Sequence, residues 1–518
     1  MQKLSTPACA DLSKPALPDR AERINKPRLG VVAVLLVAIG LLTSCAPRVI
    51  GMDLPAGEEI VAAIPATPAD AFPTPLPTRE PYEPGTLVDY IAQTGDTLPA
   101  LAGHFNTTVS EILAANPFIP ANATTMPPGM PMKIPIYYRA LWGSPYQILP
   151  DALFINGPAQ SDFRAVEFVN SQPGWFKDYS FYIGSRERRG GEIIEYIAAE
   201  YSLSPRLLLA LLEYQTGGLS QAQPGVDIEL YPLGYRNQFA KGIARQLAWA
   251  ANTLNNGYYG WRTGSLDTFY HREGLLENPD PWQNAASVAL HYYFAMVLPK
   301  EAYDYAISGD GFFRTYSQLF GDPWQAGIPP HIPGSLTQPE MSFPFPAGKT
   351  WAYTGGPHTG WGEGEPLAAL DFAPPNVAGG CQPSEDAAVA VADGVIARRG
   401  DALVVLDLDG DGDERTGWTV VYLHLANDSL PPVGKRFKMG DPIGMPSCEG
   451  GKATGTHVHI ARKYNGEWIP ADGALAFNLE GWLAVNGERP YLGSLVRQGR
   501  AIRACECADI NSQVRSNP

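Results

Sequence analysis

After residue 86 the hydrophobic positions change period twice, and each period predicts its own kind of element. Val88 and Tyr90 alternate as in a short strand, whereas Leu98, Leu101, Ala102 and Phe105 recur at helical spacing behind the turn Thr94-Gly95-Asp96-Thr97. Thr108-x-x-Glu111 has the capping-box pattern of a second helix, whose apolar face is Val109, Ile112 and Leu113. Asn116-Pro117 stops that helix and Met132 to Ile136 return as a strand, so residues 86–137 read as a βααβ unit. Residues 138–189 are aromatic-rich and without period, and read as an irregular linker region. Residues 190–335 read as helices, one starting at Ser204-Pro205 and ending at Gly217-Gly218. Residues 340–500 switch to alternation, as in WTVVYLHL and AVAVADGVIARR, broken by Gly and Asp turns. Residues 501–518 remain as a tail. The fold class expected is multidomain α+β: a βααβ module, a mainly helical middle domain and an antiparallel β-sheet C-terminal domain.

The N-terminal pattern is of another kind. Arg20, Arg23, Lys26 and Arg28 precede an uncharged run from Leu29 to Ser44 that ends at Cys45. A basic region, an apolar core and small residues at its end are the parts of a secretory signal, over residues 1–44. The run is shorter than the ~20 residues that span a bilayer comfortably. The Cys at its end resembles a lipoprotein signal box, which implies lipidation of Cys45; an uncleaved membrane helix is the other reading. Both place the rest of the chain outside the cytoplasm, anchored to the membrane and facing the cell wall. Residues 45–85 are Pro-rich and read as an extended tether.

Composition narrows the function. A chain of 518 residues is too long for one core, and its 45% apolar and 18% charged residues are those of globular protein. The formal charge of -15 argues against nucleic acid, since nothing would neutralise phosphates. An oxidising compartment permits a disulfide between Cys381 and Cys448, whereas Cys505 and Cys507 are spaced so tightly that pairing implies strain.

Four of the eight histidines fall between residues 358 and 459. His358 precedes Asp371 by thirteen residues, His424 ends an alternating strand, and His457 and His459 form a His-x-His. On a strand, a His-x-His points both imidazoles to one face. A hydrolytic metal site needs three protein ligands, an open position for water, and further groups to move a proton and steady an oxyanion. Asp407, Asp409, Asp411 and Asp413 resemble the start of a calcium loop, but position twelve is Trp418 rather than Glu. A polar hairpin turn and a Ca2+ site both remain open there.

These motifs carry three family resemblances. Gly95-Asp96-Thr97, Asn116-Pro117 and the closing strand around Lys133-Ile134-Pro135 resemble the LysM domain. That implies a groove for N-acetylglucosamine glycans between Gly95, Asp96 and Thr97 on one side and the loop of Asn116 and Pro117 on the other. The helical run resembles the lysozyme-like lytic transglycosylases, but Gln215-Thr216 stands where they carry the catalytic Glu-Ser, so this domain is expected to be non-catalytic. The C-terminal segment resembles the lysostaphin-type zinc endopeptidases on Leu370-Asp371-Phe372-Ala373-Pro374, Tyr422-Leu423-His424-Leu425 and Gly455-Thr456-His457-Val458-His459. The commoner branch of that family has its first zinc His four residues before the Asp, where this chain has Leu367. The beta-lytic branch has it thirteen before, in a Gly-Gly-x-His context, matching Gly355-Gly356-Pro357-His358. The resemblance therefore implies one Zn2+ on His358, Asp371 and His459, with catalytic roles for His424 and His457. It further implies peptide bonds of peptidoglycan as substrate. Two other readings stand beside it: a non-enzymatic wall-binding protein that recruits or activates a hydrolase, and a glycan-cleaving enzyme centred on residues 190–330.

Overall fold

The computed structural model describes residues 79, 81–375, 380–507 and 509–517. The signal segment, Cys45 and nearly all of the tether lie outside the described residues. Among those described, no helix is long and apolar enough to cross a membrane.

The first module forms as its caps dictate. Strand β1 (Thr86–Ile91) pairs antiparallel with β2 (Pro131–Ile136), and helices α1 (Leu98–His104) and α2 (Val109–Ala115) lie between them in sequence. The Thr97 side chain accepts from the Ala100 N–H at the start of α1, and Thr108 with Glu111 completes a reciprocal capping box on α2. Leu101, Phe105, Ile112 and Ile134 close the small core.

The middle domain is built on α3 (Ala165–Ser171), α4 (Gly190–Tyr201), α5 (Pro205–Thr216), α6 (Ile243–Thr263), α7 (Ala285–Val297) and α8 (Phe312–Phe320). Ser204 caps α5 by accepting from the Leu207 N–H, and Gly217 ends it in the left-handed region at φ 62°. The expected linker 138–189 is corrected here. It carries α3, a hairpin of Ser180–Ile183 with Arg186–Arg189, and Ile148, Phe154 and Phe176 fully inside the helical core. Its apolar residues are aromatic and irregularly spaced, which hid their burial from any periodicity.

The C-terminal domain is a nine-stranded antiparallel sheet. Its main strands are β3 (Thr350–Thr359), β4 (Leu367–Ala373), β5 (Gly394–Arg399), β6 (Val404–Asp407), β7 (Trp418–Leu423), β8 (Arg436–Phe437), β9 (Val458–Tyr464) and β10 (Gln513–Arg515). They run in the order β8-β5-β6-β7-β9-β4-β3-β10, with Glu467–Trp468 pairing onto β9. The expected tail 501–518 is also corrected, since β10 is the edge strand on β3. One sheet face packs Leu370, Phe372, Leu406, Val420, Tyr422 and Ile460 into a core of its own. The other packs Ala369, Val405, Val421, Leu423 and Ala461 into the helical core. Cys381 is bonded to Cys448, and Cys505 to Cys507, a pairing the sequence spacing admitted only with strain. The acidic stretch after β6 is a hairpin turn. Asp407 accepts from the N–H groups of Asp409, Gly410 and Gly412, Asp411 from that of Asp413, and Asp413 from Arg415. The carboxylates are engaged by the turn itself, and calcium is not supported.

Buried ion pairs join the domains. Arg262 on α6 lies 3.0 Å from Asp151 of the middle domain and 3.1 Å from Glu467 of the sheet, and also donates to the Thr94 carbonyl of the first module. Burial would raise the Glu467 carboxyl, but Arg262 and His331 beside it hold it down at about 2. Arg398 of β5 likewise bridges Glu200 of α4 and Glu414 at 2.9 and 2.5 Å. Truncating Arg262 to Ala leaves the buried Asp151 without its cation and Glu467 with His331 alone, a loss of about 3–5 kcal/mol. The Arg262→Ala protein is therefore expected to unfold at clearly lower denaturant concentration than the parent; an unchanged midpoint would show that these charges are not coupled to the fold.

Candidate metal centre

Three sheet strands bring the predicted ligands together. Asp371 lies in β4, directly across from His459 in β9 and from Gly355 in β3. Irregularities between Tyr353 and His358 in β3 bring His358 opposite Ala369, on the face that carries Asp371. A Cβ on Gly355 would lie 2.5 Å from an Asp371 carboxylate oxygen, so only Gly leaves room for that side chain.

The donor atoms converge. His358 Nε2 is 3.1 Å from His459 Nδ1, and each is 3.3 Å from Asp371 Oδ1. A tetrahedral ion bound at ordinary zinc–ligand lengths separates its donors by about 3.3 Å. His358, Asp371 and His459 are buried, and Asp371 Oδ1 has no hydrogen-bond partner, which fits a carboxylate shaped for a cation. His358 Nδ1 donates to the Gly356 carbonyl at 2.8 Å, which leaves the Nε2 lone pair for a metal. These three residues form a group that can hold a metal ion.

The electrostatics of the protein alone are those of a carboxylate among imidazoles. Burial would raise the Asp371 carboxyl, but His358 and His457 pull it well below its ordinary value. Burial would lower His358, and the Asp371 charge reverses this and raises it. His459 is lowered, chiefly by burial. His424 is lowered to about 4 by burial and then by His457 and His459.

The two remaining histidines stand beside this group. The His424 and His457 rings are 4.6 Å apart, and His457 Nε2 is 3.8 Å from Asp371 Oδ2. Each has Nδ1 against a backbone carbonyl, Glu449 for His424 and Gly455 for His457, both at 2.7 Å. Both rings are thereby fixed, with the other nitrogen left for chemistry. His424 takes φ 64°, a conformation a non-glycine residue rarely holds. Tyr491 stacks on His358 at 4.1 Å and was not named from sequence. It sits in an irregular loop, Glu488-Arg489-Pro490-Tyr491, where no period marks it.

The other named residues lie elsewhere. Asp96 is buried and accepts from Tyr90 and the Gln93 N–H, while Thr97 caps α1. Asn116 is turned inward, bonded to Ile112 and Lys133, and Pro117 is exposed beside it. Of the second loop it is Met126 that meets the first turn, donating its N–H to the Asp96 carbonyl. Gln215 is buried at the end of α5, and Glu213 accepts from the backbone of Leu219 and Ser220. That end of α5 presents no free carboxylate.

Two families match. The LysM domain covers residues 90–135, and the family described as LasA, N-terminal domain covers residues 147–334, which include the helical run expected to be a non-catalytic lysozyme-like domain. Protease LasA of Pseudomonas aeruginosa is 27% identical over 307 residues, covering 55% of this chain and 69% of that protein. Beta-lytic metalloendopeptidase of Achromobacter lyticus is 30% identical over 173 residues, 32% of this chain and 41% of that protein. Its counterpart from Lysobacter enzymogenes is 29% identical over 141 residues, 26% of this chain and 74% of that protein. Among solved structures, the M23 metalloprotease pseudoalterin aligns with a TM-score of 0.28 and 25% identity, over 32% of this chain and 96% of that one. The chain is thus similar to protease LasA and to the beta-lytic metalloendopeptidases, and it carries a match to the LysM domain ahead of a match to the LasA N-terminal domain.

Proposed function

We propose that the protein is an exported zinc metalloendopeptidase that cleaves peptide bonds in peptidoglycan stems or cross-bridges, with its LysM domain binding the glycan. The observation that carries the reading is the triad of donors 3.1–3.3 Å apart with two further imidazoles fixed beside it. His358, Asp371 and His459 would hold the zinc. Bound there, zinc supplies a Lewis acid that acidifies water and polarises a carbonyl. One of His424 and His457 takes the proton of the attacking water, and the other steadies the oxyanion that forms on the scissile carbonyl. Their backbone anchors keep both rings from swinging to the metal. A non-enzymatic role is the weaker reading, because triad and imidazole pair are both intact.

The ligand assignment has a direct check. His358→Ala is expected to lose most bound zinc by elemental analysis of the purified protein, while Leu367→Ala keeps it. Full zinc content in the His358 variant would remove that residue from the site.

Catalysis is tested on the two non-ligands. His424→Ala and His457→Ala are expected to stay folded and keep zinc, yet to release new amino termini from peptidoglycan about 10²–10⁴ times more slowly. Gln215→Ala should match the parent. Reducing ends or anhydro-sugars appearing without new amino termini would contradict the peptidase reading.

Anchoring completes the proposal, through lipidation of Cys45 after export. Cys45→Ala is expected to abolish lipid labelling and leave a longer N-terminus; unchanged mass and membrane retention would favour an uncleaved helix.

A further inference from the structure

The connection from the middle domain to the sheet does not run free. Residues 331–336, His-Ile-Pro-Gly-Ser-Leu, cross the LysM module where its two loops face each other. On the first loop, Thr94 Oγ1 accepts from the Ile332 N–H at 3.0 Å and donates to the Ile332 carbonyl at 3.2 Å. On the second, Thr125 Oγ1 donates to Pro333 O at 2.8 Å and accepts from the Leu336 N–H at 3.0 Å. The Ser335 N–H reaches Thr125 O at 2.8 Å, and Thr124 Oγ1 donates to Leu336 O at 2.6 Å. Six hydrogen bonds thus tie one short stretch of backbone to both loops.

The stretch is also pinned to the sheet domain. Ile332 and Leu336 bury their side chains against Trp418 and Ile469. His331 pairs with Glu467 and accepts at its carbonyl from Asn465, and Gln338 bonds to Arg462 and Asn478. Its backbone faces LysM while its apolar side chains face the peptidase. At Gly334 the fit is closest: a Cβ there would lie 2.6 Å from Pro127 Cα.

We propose that residues 331–336 are a built-in strap occupying the LysM groove, so that glycan enters only by displacing it. This rests on the glycan-binding reading above and adds its regulation. The strap's partners on LysM are the Thr94, Thr124 and Thr125 hydroxyls and the Thr125 carbonyl, groups that bond equally well to a peptide backbone or to sugar hydroxyls and acetamido groups, which makes the two occupants competitors. If only a fraction of molecules has the strap released, apparent affinity falls by that fraction. By linkage, anything that loosens the strap tightens glycan binding, and glycan loosens the strap by the same factor.

The test uses the full chain and the β-1,4-linked tetramer of N-acetylglucosamine as probe. Gly334→Val changes the strap and no residue of LysM, and its side chain has no room against Pro127. It is expected to bind the tetramer at least tenfold more tightly than the parent by calorimetry. Equal affinity in parent and variant overturns the strap and leaves glycan binding standing. Absence of binding in both, with the strap amides of the variant already exchanging fast, overturns both readings. A second measurement needs no substitution. In the parent at saturating tetramer, the amides of Ile332, Ser335 and Leu336 are expected to exchange with deuterium at least tenfold faster, and unchanged exchange at saturation overturns the proposal.

Discussion

Arg262 is the side chain on which the arrangement of the domains depends. Its guanidinium sits at the end of α6, almost wholly out of water, forms an ion pair with Asp151, and bonds to Tyr258, Glu467 and the Thr94 carbonyl. Those partners belong to the middle domain, the sheet domain and the LysM module. A buried charge is tolerable only when its donors are met, and the planar fork of an arginine meets several acceptors at once. A lysine would offer a point charge and could not reach all three domains. The geometry also explains Gly95, whose added Cβ would lie 2.7 Å from that guanidinium.

The sequence spelled out the local parts of this structure better than its joints. The Thr108–Glu111 capping box, the Ser204 start and the Gly217 stop are decided within one turn of helix and stand as expected. The triad that could hold a metal was legible for another reason: only a few residue types can ligate a metal, and the resemblance to the beta-lytic branch pointed to His358, Asp371 and His459 among them. The supporting groups were not. The carbonyls of Gly356, Glu449 and Gly455 act through backbone, which any residue supplies, and Tyr491 arrives on a loop with no pattern. Arg262, Glu467 and Arg398 were not singled out at all, because pairing across domains leaves no trace in local periodicity. The strap escaped notice likewise, since its contacts with LysM are almost all made by its own backbone.

The sheet shows why the site is nonetheless held in place. Leu423, His459, Asp371 and Gly355 form one rung across four strands, and Val421, Ala461, Ala369 and His358 form a rung two residues along β7, β9 and β4. Both rungs lie on the face that, farther along, packs against the helical domain. Their neighbours in sequence, Leu370, Phe372, Tyr422 and Ile460, face the opposite core. Because both faces are buried, slipping a strand by one residue would exchange two apolar sets and carry Asp371 or His459 away from the site. The convergence of the three donor side chains is thus specified by hydrophobic residues that are no part of the triad. The same double burial corrects the alternation read in β7, since Trp418 to Leu423 are buried throughout and both faces of the strand are inside.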